Sequence, residues 1–289
     1  MSISLATDPT HLESLVRQCL RAALSVHDSL GEAGEVLVKK NQFGETALRV
    51  DIECEQAILN VLKEMRVPIR VISEEHGQVD ITANPCYLGI LDGLDGSNVY
   101  KKSQGRGRYA TMFGIFDALD PRYEDYLVSG IMELQAKRLY MAQKTDGAYV
   151  IEDSKKMPIH VSGTISLGPD TRIYIDEYWD INKRIFSEAL HNFKPADRNF
   201  SSGSSAIHYA DVAVGAADLA LECTRKNNLE IAIAYGLIKE AGGVMIDLTG
   251  EPIGDKKYLT FGQKEHLPIV TAATRALADA VLKRVRPHR

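Results

Sequence analysis

The stretch Ile90-Leu91-Asp92-Gly93-Leu94-Asp95-Gly96-Ser97-Asn98 decides how the rest of the chain is read. Before it, Tyr87–Leu91 is a continuous apolar run of the buried-strand type. That run leads into two aspartates three positions apart, interleaved with two glycines and followed by a serine. Carboxylates at the C-terminal end of a strand can converge on one cation, and the Leu94 carbonyl between them can add an oxygen. Oxygen-only ligation favours Mg²⁺, Mn²⁺ or Ca²⁺ over zinc. Gly96 and Ser97 lack bulk, so their backbone N–H groups can approach a phosphate, and a helix beginning there would strengthen the anion site. The same letters also make an ordinary Asp/Gly turn between elements.

A second acidic group, Ser73-Glu74-Glu75-His76-Gly77, also follows a short apolar run, Ile69–Ile72. Paired glutamates on a loop are ordinarily solvated charges. Here the pair repeats the first motif, so two strand ends would present acids toward one edge, where α/β sheets place their ligands. His76 can be a ligand or an exposed loop histidine. Asp51, in Leu48-Arg49-Val50-Asp51-Ile52-Glu53, reads as a helix cap or first-turn acid. The last group runs through Ser202-Gly203-Ser204-Ser205-Ala206, Glu222, Arg225, Asn228-Leu229-Glu230 and Glu240-Ala241-Gly242-Gly243. Gly203 and Ser204 before a helix can hold a hydroxylated ligand, or form a Ser/Gly connection with an N-cap. Glu230 opens a helix, where an acid in the first turn has a structural role of its own.

Of the 289 residues, 45% are hydrophobic and 25% charged, which suffices for a sizeable core. The formal net charge of −5 gives no polyanion-binding surface, so nucleic acid is not expected as a partner. A phosphate ligand stays compatible, because bound cations reverse the field inside one pocket. Cys19, Cys54, Cys86 and Cys223 show no paired spacing, which predicts a reduced protein without a disulfide framework or zinc site. Met1–Thr10 carries no basic patch followed by an apolar run, and no later run reaches a membrane span. A cytoplasmic protein without a membrane partner is the expectation.

Leu12, Leu15, Val16, Cys19, Leu20, Ala23, Val26 and Leu30 recur every three or four residues, which predicts a helix. Thr10 and Glu13 stand at capping-box spacing before it. A second helix is predicted from about Ile52 to Met65. Strand-like runs follow at Ile69–Ile72, Tyr87–Leu91, Ala110–Phe116, Leu127–Met132, Leu139–Ala142 and Ala148–Ile151. Gly130 to Ile151 reads as consecutive antiparallel strands with a turn at Asp146-Gly147. After about Pro158, strands at Arg172–Ile175, Leu219–Glu222 and Val244–Asp247 alternate with helices near Ile181–Asn192, Ser205–Val214, Glu230–Glu240 and Thr274–Val285. The chain thus divides into an α+β part, residues 1–157, and an α/β part, residues 158–289. The first carries the acidic groups around Asp51, Glu74 and Asp92, the second Gly203, Ser204 and Glu230.

In this order the four segments resemble the lithium-sensitive phosphatase superfamily of inositol monophosphatases, fructose-1,6-bisphosphatases and phosphoadenosine phosphate phosphatases. The resemblance covers roughly residues 36–250. Ser-Glu-Glu, D-x-L-D-G-S-N and E-A-G-G look most like the dual-activity members that accept both sugar and inositol phosphates. The resemblance implies a layered αβαβα sandwich and dependence on two or three Mg²⁺ ions, with Mn²⁺ an alternative. By motif, Glu74, Asp92, Asp95 and Glu230 match the metal-binding acids and Leu94 the carbonyl ligand. Ser97 matches the hydroxyl that polarises the attacking water and Asp51 its acidic partner; with Glu74 they make the catalytic set. Asp95, Gly96, Ser97, Gly203 and Ser204 fall at substrate-binding positions. Glu222 and Arg225 lie near a motif and are candidate substrate contacts. Arg106 and Arg108 are either further contacts or solvated loop charges.

The chain departs from the family pattern in two places. Gly93 stands where the family usually has proline, which loosens the turn. Leu229-Glu230 stands where the inositol branch has Trp-Asp, and is similar to the fructose bisphosphatase branch. Ser97-Asn98-Val99-Tyr100 also differs from the Thr-Lys-x-Phe of the phosphoadenosine branch. The implied reaction is hydrolysis of a small phosphorylated polyol or sugar, inositol monophosphate or fructose 1,6-bisphosphate, by metal-activated water. The alternatives are a phosphoadenosine phosphate phosphatase and a non-catalytic phosphometabolite-binding protein of the same fold. Related enzymes form dimers or tetramers, so a homodimer or homotetramer is expected.

Overall fold

The computed structural model describes residues 9–41, 46–177, 180–187, 189–190, 203–225 and 227–285. The first apolar stripe folds as helix α1 (Pro9–Leu30), with Leu12, Leu15, Val16, Cys19, Leu20 and Ala23 buried. Proline opens it, where its missing N–H costs no intrahelical bond. Thr10 therefore lies inside the first turn and not at the cap. Glu13, its expected capping partner, accepts a hydrogen bond from the Tyr149 hydroxyl instead. A hairpin of β1 (Leu37–Lys40) and β2 (Thr46–Leu48) leads into α2 (Arg49–Glu64), which begins earlier than its apolar face suggests.

An eight-stranded sheet follows. Its members are β3 (Ile69–Ser73), β4 (Gly77–Asp80), β5 (Tyr87–Asp95), β6 (Ala110–Phe116), β7 (Tyr126–Glu133), β8 (Arg138–Gln143), β9 (Gly147–Glu152) and β10 (Lys155–Pro158). Helix α3 (Ser97–Ser103) lies between β5 and β6. The spatial order is β10-β9-β8-β7-β6-β5-β3-β4. Only β3 and β5 run parallel. Their carboxyl ends therefore reach the same edge, with Ser73 paired to Leu91, so Glu74-Glu75 leaves the sheet beside Asp92. Strand β5 continues past the predicted Leu91 to Asp95, and its register against β6 shifts between Asp92 and Asp95. Such an irregularity re-aims side chains where a ladder ends.

The second half comprises β11 (Ile173–Ile175), α4 (Asp180–Asn182), α5 (Ser205–Ala213), β12 (Leu219–Cys223), α6 (Leu229–Glu240), β13 (Val244–Asp247), β14 (Pro268–Ala272) and α7 (Arg275–Val285). Strand order is β11-β12-β14-β13. Only β11 and β12 are parallel, because β14, a short apolar run unassigned from sequence, pairs antiparallel with both neighbours. The helix predicted over Ile181–Asn192 is a single α turn continued by a wider π-type turn, Lys183–Ser187. Residues 188, 191, 192 and 202, which belong to predicted segments, lie outside the described residues.

Helices α1 and α2 cover one face of the large sheet, α5 and α6 fill the space between the two sheets, and α7 covers the outer face of the small one. The result is an α+β sandwich layered α-β-α-β-α. Helix α6 is apolar around most of its circumference because it is pressed on both sides. One core joins Leu88, Ile90 and Met112 of the large sheet to Ala206, Ile233 and Leu237 of α5 and α6. Among the described residues no helix is long and apolar enough to cross a membrane.

Candidate active site

Asp92 and Asp95 come from the end of β5, and Glu230 from the first turn of α6. One carboxylate oxygen from each lies within 4.8 Å of the others. Asp92 is 1% exposed, and Leu94 N donates to its Oδ1 at 3.0 Å. Asp95 Oδ2 accepts from Ala206 N at 2.8 Å and from the Ser204 hydroxyl. Ser204 also caps α5 by accepting from Ile207 N. The start of α5 thus fixes Asp95 from across the core.

Burial, then the charges of Glu74, Asp95 and Glu230, holds the Asp92 carboxyl well above the usual range. Burial and Glu230 likewise push Asp95 up to about 6, against the lowering effects of Ser204, Arg225 and Ala206 N. Glu74, at the carboxyl end of β3, is raised by burial and then by Glu230, Glu55, Glu75 and Asp51. Buried acids that raise one another's pKa mark a place short of positive charge. The donors are all oxygens, which fits a hard divalent cation. Asp92, Asp95 and Glu230 would hold such an ion, with Glu74 beside them.

Asp51 shows that the structural and functional readings of one residue are compatible. Its Oδ2 accepts from Leu48 N at 2.7 Å, an acid in the first turn of α2 reaching back to the cap. Its Oδ1 lies 3.1 Å from Ser97 Oγ, which also reaches the Leu94 carbonyl at 2.9 Å. Burial above all pushes the Asp51 carboxyl up to about 7.

Glu55, one helical turn after Asp51, escaped the sequence reading. It is fully buried and organises the Ser73–His76 turn. Its carboxylate accepts from Glu74 N at 3.0 Å, Glu75 N at 3.1 Å and the Ser73 hydroxyl, and bonds His76 Nδ1 at 2.8 Å. His76 is therefore neither an exposed loop residue nor turned to the acid cluster. Glu75 is buried too, with Asn41 Nδ2 donating to its Oε1 at 3.2 Å, so the pair is not a solvated surface charge. The i, i+4 spacing of Asp51 and Glu55 on one helix face was the available signal.

Gly93 has a different reason from a loosened turn. A Cβ there would lie 2.3 Å from the Asp51 carbonyl oxygen and 2.7 Å from Glu55 Cγ. Only glycine lets β5 approach α2 this closely. Gly96 precedes α3 at φ +96°, where a Cβ would also meet Ser204 Cβ at 2.9 Å.

Gly203 is exposed, at φ +74°, next to the buried Ser204. Glu222 is 1% exposed. Its Oε1 bonds His208 Nδ1 at 2.7 Å, and its Oε2 accepts from the Ser205 hydroxyl at 2.9 Å. Ser204 and Glu222 are thus both engaged by neighbouring groups of the chain. Arg225 does reach the cluster, 3.1 Å from Glu230 Oε1. Arg106 is exposed and bonds Gln104. Arg108 is half-buried and bridges Glu133 of β7 and Asp211 of α5 with bonds of 2.7–3.3 Å.

A profile of the inositol monophosphatase family matches residues 10–288. The chain belongs to that family. An inositol-1-monophosphatase of Aeropyrum pernix is 28% identical over 221 residues, 73% of this chain and 75% of that protein. A fructose-1,6-bisphosphatase/inositol-1-monophosphatase of Methanothermobacter thermautotrophicus is 26% identical over 234 residues, 77% of this chain and 78% of the relative. Among solved structures, a Pyrococcus horikoshii protein described as similar to inositol-1 monophosphatase superposes with a TM-score of 0.72. That match covers 97% of this chain and all of the other at 20% identity, which speaks for the fold alone. Membership in the inositol monophosphatase family makes the chain a phosphoric monoester hydrolase.

Proposed function

We propose that this family member hydrolyses the phosphate ester of a small polyol or sugar in an Mg²⁺- or Mn²⁺-dependent reaction, with inositol 1-phosphate and fructose 1,6-bisphosphate the first esters to test. The observation that carries the reading is the convergence of Asp92, Asp95 and Glu230 beside the Ser97–Asp51 pair. Bound divalent ions supply positive charge for the phosphoryl oxygens and acidify a water. The chain's own part is to hold those ions in place through the three carboxylates and Glu74. Ser97 Oγ can accept a proton from the attacking water while passing its own to Asp51 Oδ1. An Asp51 carboxyl near 7 is suited to take that proton at neutral pH. The Ser97 N–H that opens α3 has no acceptor within the helix and would be offered to a phosphate oxygen.

Phosphate release from each ester, measured with Mg²⁺ and again with excess chelator, tests the proposal. Release that stops with chelator supports it. No release from either ester at saturating metal would overturn this substrate assignment. Residence in the cytoplasm and assembly as a homodimer or homotetramer belong to the same proposal, the latter measurable by sedimentation.

A further inference from the structure

Arg225 has no part in the steps just described, yet its guanidinium lies against the last acid of the cluster. Its backbone N–H donates to Asn228 Oδ1 at 2.5 Å, which fixes the start of the side chain. Nη2 donates to Ser205 Oγ at 2.8 Å and lies 3.1 Å from Glu230 Oε1 and 3.9 Å from Glu222 Oε2. Nε and Nη1 make no hydrogen bond among the described residues, and the side chain is 30% exposed. Among the described residues, one edge of the guanidinium is therefore anchored and the other nitrogens make no hydrogen bond.

The anchor is rigid. Ser205 donates to Glu222, Glu222 bonds His208, and the His208 ring stacks on Tyr174 with centroids 4.4 Å apart and planes 15° apart. Tyr174 OH donates to Asp211 at 2.8 Å, and Asp211 is clamped by Arg108. Glu222 thus supports this cation through Ser205. A neutral polyol does not need a pre-positioned guanidinium. Phosphate does, because the planar fork matches two of its oxygens at once. Arg106 bonds Gln104 and Arg108 pairs with Glu133 and Asp211, whereas Arg225 is the arginine of this group paired with an acid of the cluster.

We propose that Arg225 is the residue that reads a second phosphate on the substrate, so that the chain prefers polyol or sugar bisphosphates over the matching monophosphates. The inference rests on the phosphatase reading and sharpens it to a substrate class.

The test pairs fructose 1,6-bisphosphate with fructose 1-phosphate, which differ only in the second phosphate. Wild type should favour the bisphosphate in kcat/KM by about tenfold or more. Arg225→Met should bring the ratio to within roughly threefold of unity, mostly through KM, and Arg225→Lys should fall between. Equal losses on both esters would assign Arg225 to the scissile phosphate and overturn the proposal. A Mn²⁺ titration read by electron paramagnetic resonance provides the control. Affinity in Arg225→Met should match or exceed wild type, because an ion pair competing for Glu230 is gone. Affinity weaker by about tenfold or more would make Arg225 a support of the metal site and also overturn it. If wild type turns over neither fructose ester, the sugar-phosphate part of the functional reading fails by itself. Calorimetric binding of the two esters with Ca²⁺ present then tests Arg225 directly: a bisphosphate preference lost in Arg225→Met sustains the inference, and no preference ends it.

Discussion

Asp92 and Asp218 are the same residue type, both 1% exposed, and they behave in opposite ways. Asp218 joins the strand end near β12 to the segment before β11. It accepts from Arg172 N at 2.7 Å, Arg172 Nε at 3.1 Å, Arg172 Nη2 at 2.9 Å, Thr164 Oγ1 at 2.9 Å and Ser162 Oγ. Burial raises its pKa, but these donors outweigh burial and hold it at about 2. Asp92 receives a hydrogen bond from Leu94 N and otherwise faces other acids, which hold it far above the usual range. Burial alone therefore does not distinguish a structural acid from a functional one. The supply of donors does. Where the chain provides every donor, the acid locks two segments together. Where it withholds them, the missing positive charge has to come from outside the chain.

The largest expected effect lies at the unsatisfied cluster. Asp92→Asn should lower kcat/KM by roughly 10³-fold or more, the scale of losing one preorganised electrostatic contact. The same substitution removes a repelled charge, so the metal-free variant should melt no lower than wild type. Activity within tenfold of wild type at saturating Mg²⁺ would erase the contrast with Asp218. The converse substitution, Asp218→Asn, should cost about 3 kcal/mol in denaturant unfolding, as expected when one partner of a buried pair is removed. Turnover per folded molecule should survive it, and an unchanged unfolding midpoint would show the Arg172 cluster to be dispensable.

A smaller effect is expected where the two motifs touch. Gly93→Ala should destabilise by roughly 1–3 kcal/mol, because its Cβ meets the Asp51 carbonyl and Glu55. A variant as stable as wild type would mean that α2 yields easily, and that the acids are less firmly placed than the packing indicates. The smallest effect is in the pH dependence of the metal-free protein. Asp51 titrates at about 7 when folded and in the ordinary carboxylate range when unfolded, and Asp92 and Glu74 shift the same way. Between those values the folded state binds the extra protons. Stability should therefore rise as pH falls from about 8 to about 5, and saturating Mg²⁺ should flatten the slope. Asp218 titrates below that window and cannot mask it. A melting temperature that falls steadily over the same range without metal would show that the cluster is already compensated.

The sequence by itself determined the elements and the chemical kind of the site. The apolar stripe of α1, the antiparallel run from Gly130 to Ile151 and the apolar strands ending in acids are local patterns, visible without knowing any partner. Resemblance then assigned roles to Asp51, Glu74, Ser97 and Glu230 that spacing alone left open. Tertiary structure decided what depends on contacts between distant segments. It brought Glu230 to the end of β5, engaged Glu222 and Ser204 in bonds that anchor their neighbours, and made Gly93 a packing necessity. It also revealed Glu55 as the acid that shapes the Ser73–His76 turn. The physical reason is that hydrophobic periodicity is a property of neighbours along the chain. Whether a buried carboxylate has donors depends on neighbours in space, which one strand of letters does not show.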